Sequence, residues 1–171
     1  MLGLIKRTFS FIDEEIFLRC FKTFVRPILE YGQQAWAPHL EKDIEILEKV
    51  QRRATKLVHS LKDLPYEERL DKLQLFSLKS RRERGDMIFM YKLFNGHINI
   101  DPKKLFAMHS DDRTRGHCFK IETPIIYTDN RRYYFTTRVV GPWNNLPNYV
   151  IYSNSIPEFK RNYDKFTKSL I

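Results

Sequence analysis

The stretch 47-LEKVQRRATKLV-58 sets the reading of the whole chain. On a helix that advances about 100° per residue, Leu47, Val50, Ala54, Leu57 and Val58, joined by Ile44, fall on one flank. Lys49, Arg52, Arg53 and Lys56 gather on the other. No acidic residue interrupts the cationic stripe, so it is not the mixed-sign surface that solubility alone calls for. Such a helix sets its apolar flank into a core and offers an anion the other.

The same arrangement recurs on both sides of this stretch. Asp13 caps a helix with Glu14 and Glu15 in its first turn, running through Ile16, Phe17, Cys20, Phe21, Phe24 and Val25 until Pro27 breaks or kinks it. Arg19, Lys22 and Arg26 follow one another at i, i+3 and i+7, the spacing of Lys49, Arg52 and Lys56. Leu64 and Pro65 open a short helix in which Leu70 and Leu73 face inward. Ser77 caps a longer one, basic at Lys79, Arg81, Arg82 and Arg84 and apolar on nearly every side beyond, which Asn95 and Gly96 stop. A helix that changes in this way leaves the surface and enters a core.

Residues 97–116 are polar and place a seam, so the chain divides into a helical domain at 1–96, a connecting loop at 97–116 and a small α+β segment at 117–171. In that segment Phe119, Ile121 and Thr123 alternate with Lys120 and Glu122, and a turn near Asp129 leads to RRYYFTT, the pattern of a two-stranded β unit. Ser155 and Glu158 form a capping box for a last helix, with Phe159, Tyr163, Phe166 and Leu170 on its apolar seam and Arg161, Lys165 and Lys168 on its basic edge. The fold class is mainly α.

Composition bounds the partners. The 171 residues are 42% hydrophobic, enough for a packed core, and 30 Lys and Arg against 21 Asp and Glu leave a formal charge of +9. A polyanion is the expected partner, nucleic acid before an anionic membrane surface. No secretory leader or bilayer-length apolar run is present, and Cys20 and Cys118 make no disulfide framework, so the chain is expected to be intracellular, in cytoplasm or nucleus. The segment NRRYYFTTRVVGPW interleaves Arg131, Arg132 and Arg138 with Tyr133, Tyr134, Phe135 and Trp143, as surfaces that hold single-stranded RNA do, although packing in a core is the expected fate of these rings as a group. Strand alternation would expose only one of Tyr133 and Tyr134.

Signals for catalysis are weak. The pair Asp111 and Asp112 in HSDD sits in a polar loop beside Arg113 and Arg115 rather than in an apolar hairpin, and is read as a turn. His109, His117 and Cys118 lack a fourth ligand at zinc spacing. No phosphate-binding Gly loop, nucleophile elbow or His-Glu-x-x-His helix occurs. Neither a cofactor nor independent catalysis is expected.

The ordered blocks RPILEYGQQAWAP, LEKVQRRATKLV, LPYEERLDKLQLFSLKSRRERGDMIFMYKLFNG, RTRGH and VVGPWNNLP resemble the C-terminal region of reverse transcriptases from non-LTR (LINE-type) retrotransposons, from about Leu2 to Phe166. The resemblance implies a thumb-like helical bundle over residues 1–96, followed by a post-polymerase segment. It makes Arg19, Lys22, Arg26, Lys49, Arg52, Arg53 and Lys56 candidate contacts to the backbone of RNA or an RNA–DNA hybrid. Arg81, Arg82, Arg84, Arg131, Arg132, Tyr133 and Arg138 complete the candidate surface. The palm's Tyr-x-Asp-Asp box does not occur in the sequence. The chain is therefore expected to be a non-catalytic tail of a longer reading frame that works with a separate palm or parent polyprotein. Two other readings stay open: a decayed remnant without a selected role, and a protein-interaction module whose basic stripes are solvated faces.

Overall fold

A computed structural model of the protein describes residues 1–109 and 117–169. The expected turn at Asp111 and Asp112, the block from Arg113 to Gly116 and the seam residue Leu170 lie outside them. Two compact units are formed, Met1–Arg82 and Glu83–Ile171. The division falls inside a helix, upstream of the polar stretch where the sequence places a seam.

The first unit opens with α1 (Leu2–Thr8) and α2 (Glu14–Cys20), which Asp13 caps by accepting from the Ile16 N–H at 2.8 Å. Helix α2 passes through a π-helical turn, Phe21–Val25, into α3 (Arg26–Glu30). Pro27 explains the turn: its ring has no N–H to give and crowds the carbonyl one turn earlier, so the ladder slips a register. After α4 (Gln33–Trp36) comes α5 (Glu41–Thr55), the helix of the opening stretch, which ends three residues before Val58. A 3-10 turn, His59–Leu61, and α6 (Tyr66–Lys72) follow. The core holds Ile5, Ile12, Phe17, Phe21, Val25, Ala54, Val58, Leu61, Leu73 and Leu75, with the Phe17 and Phe21 rings stacked at 5.4 Å.

The inner flank of α5 is not purely apolar. Glu48 and Gln51 are buried there, and the Glu48 carboxylate accepts from the Tyr66 hydroxyl and from the Leu78 N–H at 3.0 Å. Gln51 Nε2 donates to the Tyr66 hydroxyl at 3.0 Å and to the Phe76 carbonyl at 2.9 Å. This network ties α5 to α6 and to the start of α7 (Leu78–Phe94), where Glu48 serves as a distant cap. Ser77 is the local cap, its hydroxyl accepting from Ser80 N–H at 3.1 Å.

The apolar second half of α7 brings Met87, Met90, Tyr91 and Leu93 into the core of the second unit. Helix α7 ends at Phe94 and the chain turns at Gly96, whose φ of 71° is left-handed, with His97 N–H bonded to the Lys92 carbonyl at 2.9 Å. After a 3-10 turn, Pro102–Lys104, short helical turns follow: α8 (Asp129–Arg132), α9 (Phe135–Arg138), α10 (Val140–Asn144) and α11 (Asn148–Ile151). The last helix, α12 (Ile156–Lys168), has the predicted cap, Glu158 N–H reaching Ser155 Oγ at 3.4 Å. Trp143 is fully buried, stacked on Phe94 at 5.2 Å, and its indole N–H reaches the Phe119 carbonyl at 2.9 Å.

The two-stranded β unit is not formed among the described residues. The alternation of Phe119 and Ile121 is real, but it yields one antiparallel bridge, Met108 to Ile121. The Ile121 backbone is otherwise satisfied by a side chain: the Asn144 amide accepts from its N–H at 3.0 Å and donates to its carbonyl at 2.7 Å. RRYYFTT falls in α8 and α9 because Phe135 packs edge-on to Phe89 at 5.2 Å and Arg138 is drawn to Asp86, a periodicity only helical turns provide. Tyr133 and Tyr134 are consequently both exposed, at the turn between those helices, instead of alternating.

Candidate nucleic-acid interface

The C-terminal half of α5 carries Lys49, Arg52 and Arg53, its C-cap is Lys56, and the four line one shallow depression of about 250 Å³ with Tyr66 and Arg69. Arg53 and Lys56 also line a second, of about 480 Å³, whose further cations are Lys6 from the last turn of α1 and Lys62, with the His59 ring beside them. The two adjoining depressions have no carboxylate among their lining residues. The negative end of the α5 helix dipole favours cations in its last turn.

Local geometry fixes the face. Arg52 lies over the Tyr66 ring at 4.9 Å from its centroid, and Arg69 Nη1 donates to the Arg52 carbonyl at 3.2 Å. Burial, and then the bond to Glu48, push the Tyr66 phenol up from its ordinary range, so it stays a neutral hydroxyl. In the second depression His59 N–H bonds to the Ile12 carbonyl at 3.3 Å, which seats Phe11 beside the His59 ring at 5.9 Å. Phe11 is 61% exposed at this cationic rim.

Six of the other predicted contacts, Arg19, Arg26, Arg81, Arg84, Arg132 and Arg138, are committed to ion pairs. Arg19 bonds Glu15 at 2.7 Å within α2, and Lys22 is exposed on the π turn outside both depressions. Arg26 lies 4.0 Å from Glu30, whose carboxylate also takes both arms of Arg81, the second at 3.0 Å. Burial and the neighbouring Arg81 lower the Arg26 guanidinium. Arg82 is 5% exposed and cannot meet a duplex. In the second unit Arg84 forks onto Asp164 at 2.6 and 2.9 Å, and Arg138 onto Asp86 at 2.9 and 3.3 Å. Arg132 is 3.8 Å from Asp129. Arg131 lines a separate depression that also holds Glu122, and the rings of Tyr133 and Tyr134 are 37% and 61% exposed. Among the described residues the basic stripes thus divide between a displayed set around α5 and a set held in ion pairs within each unit, with Lys22 in neither.

Sequence reasoning missed Lys6, Lys62, Phe11, His59 and Arg69. Arg69 left a trace: with Tyr66, Leu70 and Leu73 it completes an i, i+3, i+4, i+7 stripe, the inward face of α6. Lys6 comes from the short first helix, and the others from a loop and a 3-10 turn and its flank, where no period signals them.

Among the described residues no three His, Cys, Asp or Glu side chains converge as metal ligands. His117 is packed edge-on to Trp143 and its Nε2 donates to the Trp143 carbonyl at 3.2 Å. The Cys118 N–H bonds the Tyr152 hydroxyl at 3.1 Å. No helix of the described residues is long and apolar enough to cross a membrane. Comparison with known protein families, curated proteins and solved structures finds no match to this chain.

Proposed function

We propose that the chain binds RNA or an RNA–DNA hybrid through its sugar–phosphate backbone and catalyses no reaction by itself. The observation that carries this reading is the cationic face around α5, where Lys6, Lys49, Arg52, Arg53, Lys56 and Lys62 line adjoining depressions without a carboxylate among the lining residues, Lys49 alone of the six having an ion pair among the described residues, with Glu45. A run of phosphates offers such a face repeated negative charge. The resemblance of the ordered sequence blocks to LINE-type reverse transcriptases supports placing the chain as the C-terminal, thumb-containing part of such an enzyme, with the chemistry done by a palm elsewhere.

Fluorescence anisotropy with a labelled hybrid tests the reading. If all six cations engage, log K falls against log salt with a slope of about −5, at roughly −0.9 per phosphate. Arg53→Glu with Lys56→Glu weakens every sequence alike and makes the slope shallower by about 2. A flat salt response removes the reading. It would favour a protein-interaction module, which the exposed Phe24, Ile28 and Tyr31 along α3 and its flanks support.

A further inference from the structure

Arg69 is 3% exposed, yet among the described residues no carboxylate forms an ion pair with it. Its Nη1 holds the Arg52 carbonyl, its guanidinium lies 5.5 Å from the Tyr66 ring centroid, and its Nε has no hydrogen-bond partner. A carbonyl and an aromatic face offer partial negative charge only. A buried guanidinium remains costly until a full anion sits beside it.

The surroundings supply cations in place of that anion. Arg52, Arg53 and Lys56 line the same depression and form no ion pair among the described residues. Lys49 has Glu45 at 3.7 Å, and the nearby Glu48 is engaged by the Tyr66 hydroxyl and the Leu78 N–H. The volume of about 250 Å³ takes a phosphate group and part of its hydration, at about 30 Å³ per water.

We propose that this depression is a phosphate-binding subsite, in which the anion supplies the counter-charge that Arg69 lacks and Arg52, Arg53 and Lys56 close on it from the rim. The proposal deepens the nucleic-acid reading of this face and rests on it for the source of the phosphate. Guanidinium forks suit phosphate oxygens, and a terminal monoester carries more charge than an internal diester.

The test follows the arginine Nε–Hε resonances of the isotope-labelled whole chain during titration with inorganic phosphate, at ionic strength held constant with chloride. The Arg69 resonance shifts saturably with phosphate, and Arg69→Gln and the pair Arg53→Gln with Lys56→Gln each weaken phosphate about tenfold. If Arg69→Gln does not fold, the exposed pair carries the test. A short RNA with a 5′-phosphate and the same RNA with a 5′-hydroxyl then separate the sources: response to both assigns an internal phosphate, response to the first alone a terminal one. An unmoved Arg69 resonance, a shift that chloride reproduces, or unchanged phosphate affinity in the exposed pair overturns the proposal. A steep salt slope with a silent Arg69 removes the subsite and leaves the face, whereas a responsive Arg69 with a flat slope does the reverse.

Discussion

Burial decides what His117 does. Its imidazole is 3% exposed, packed against Trp143, and burial holds its pKa below the ordinary histidine range. Above about pH 6.5 the ring is neutral in both folded and unfolded chains. As pH falls below that value the unfolded chain takes up a proton that the folded ring refuses, so stability declines toward the lowered folded pKa. Thermal melts at about pH 7.5 and about pH 5.5 check this: the drop between them is smaller in His117→Asn than in the wild type. At this scale the sequence was only partly informative. The four cations of α5 were legible because they share a period with the apolar flank, whereas the burial of Arg69 depends on Tyr66 and Arg52, which other turns bring to it.

Element boundaries followed chemistry that acts within a few residues. Asp13, Ser77 and Ser155 cap as their types predict, and Asn95–Gly96 ends α7 by left-handed geometry. A Cβ at Gly96 would meet no atom within 4 Å, so Gly96→Ala pays only the backbone penalty of its φ, about 1 kcal/mol, read as a lower urea midpoint with an unchanged m-value. The β unit failed as a prediction for the opposite reason. Alternation at Phe119 and Ile121 signals an extended segment but not its partner, and the partner proved to be residues 107–109 and the Asn144 amide. RRYYFTT carries strand formers, yet the contacts of Phe135 and Arg138 determine its helical turns.

Across the whole molecule, the excess of positive charge separates into two uses. Arg81, Arg84 and Arg138 meet Glu30, Asp164 and Asp86 inside their units, while Arg53 and Lys56 face solvent. Stability and affinity should therefore respond to different arginines. Arg138→Gln removes the forked guanidinium from the largely buried Asp86 carboxylate and costs about 2–3 kcal/mol in chemical denaturation while leaving the salt slope unchanged. The sequence by itself determined the helical class, the caps, the α5 stripe and the net charge of +9, because each depends on residue type and local spacing. Only the tertiary structure decided where the chain divides, which cations are neutralised by distant carboxylates and which converge on Tyr66. Those outcomes depend on pairings as remote as Arg81 with Glu30 and Arg84 with Asp164, and no local period encodes such a partner.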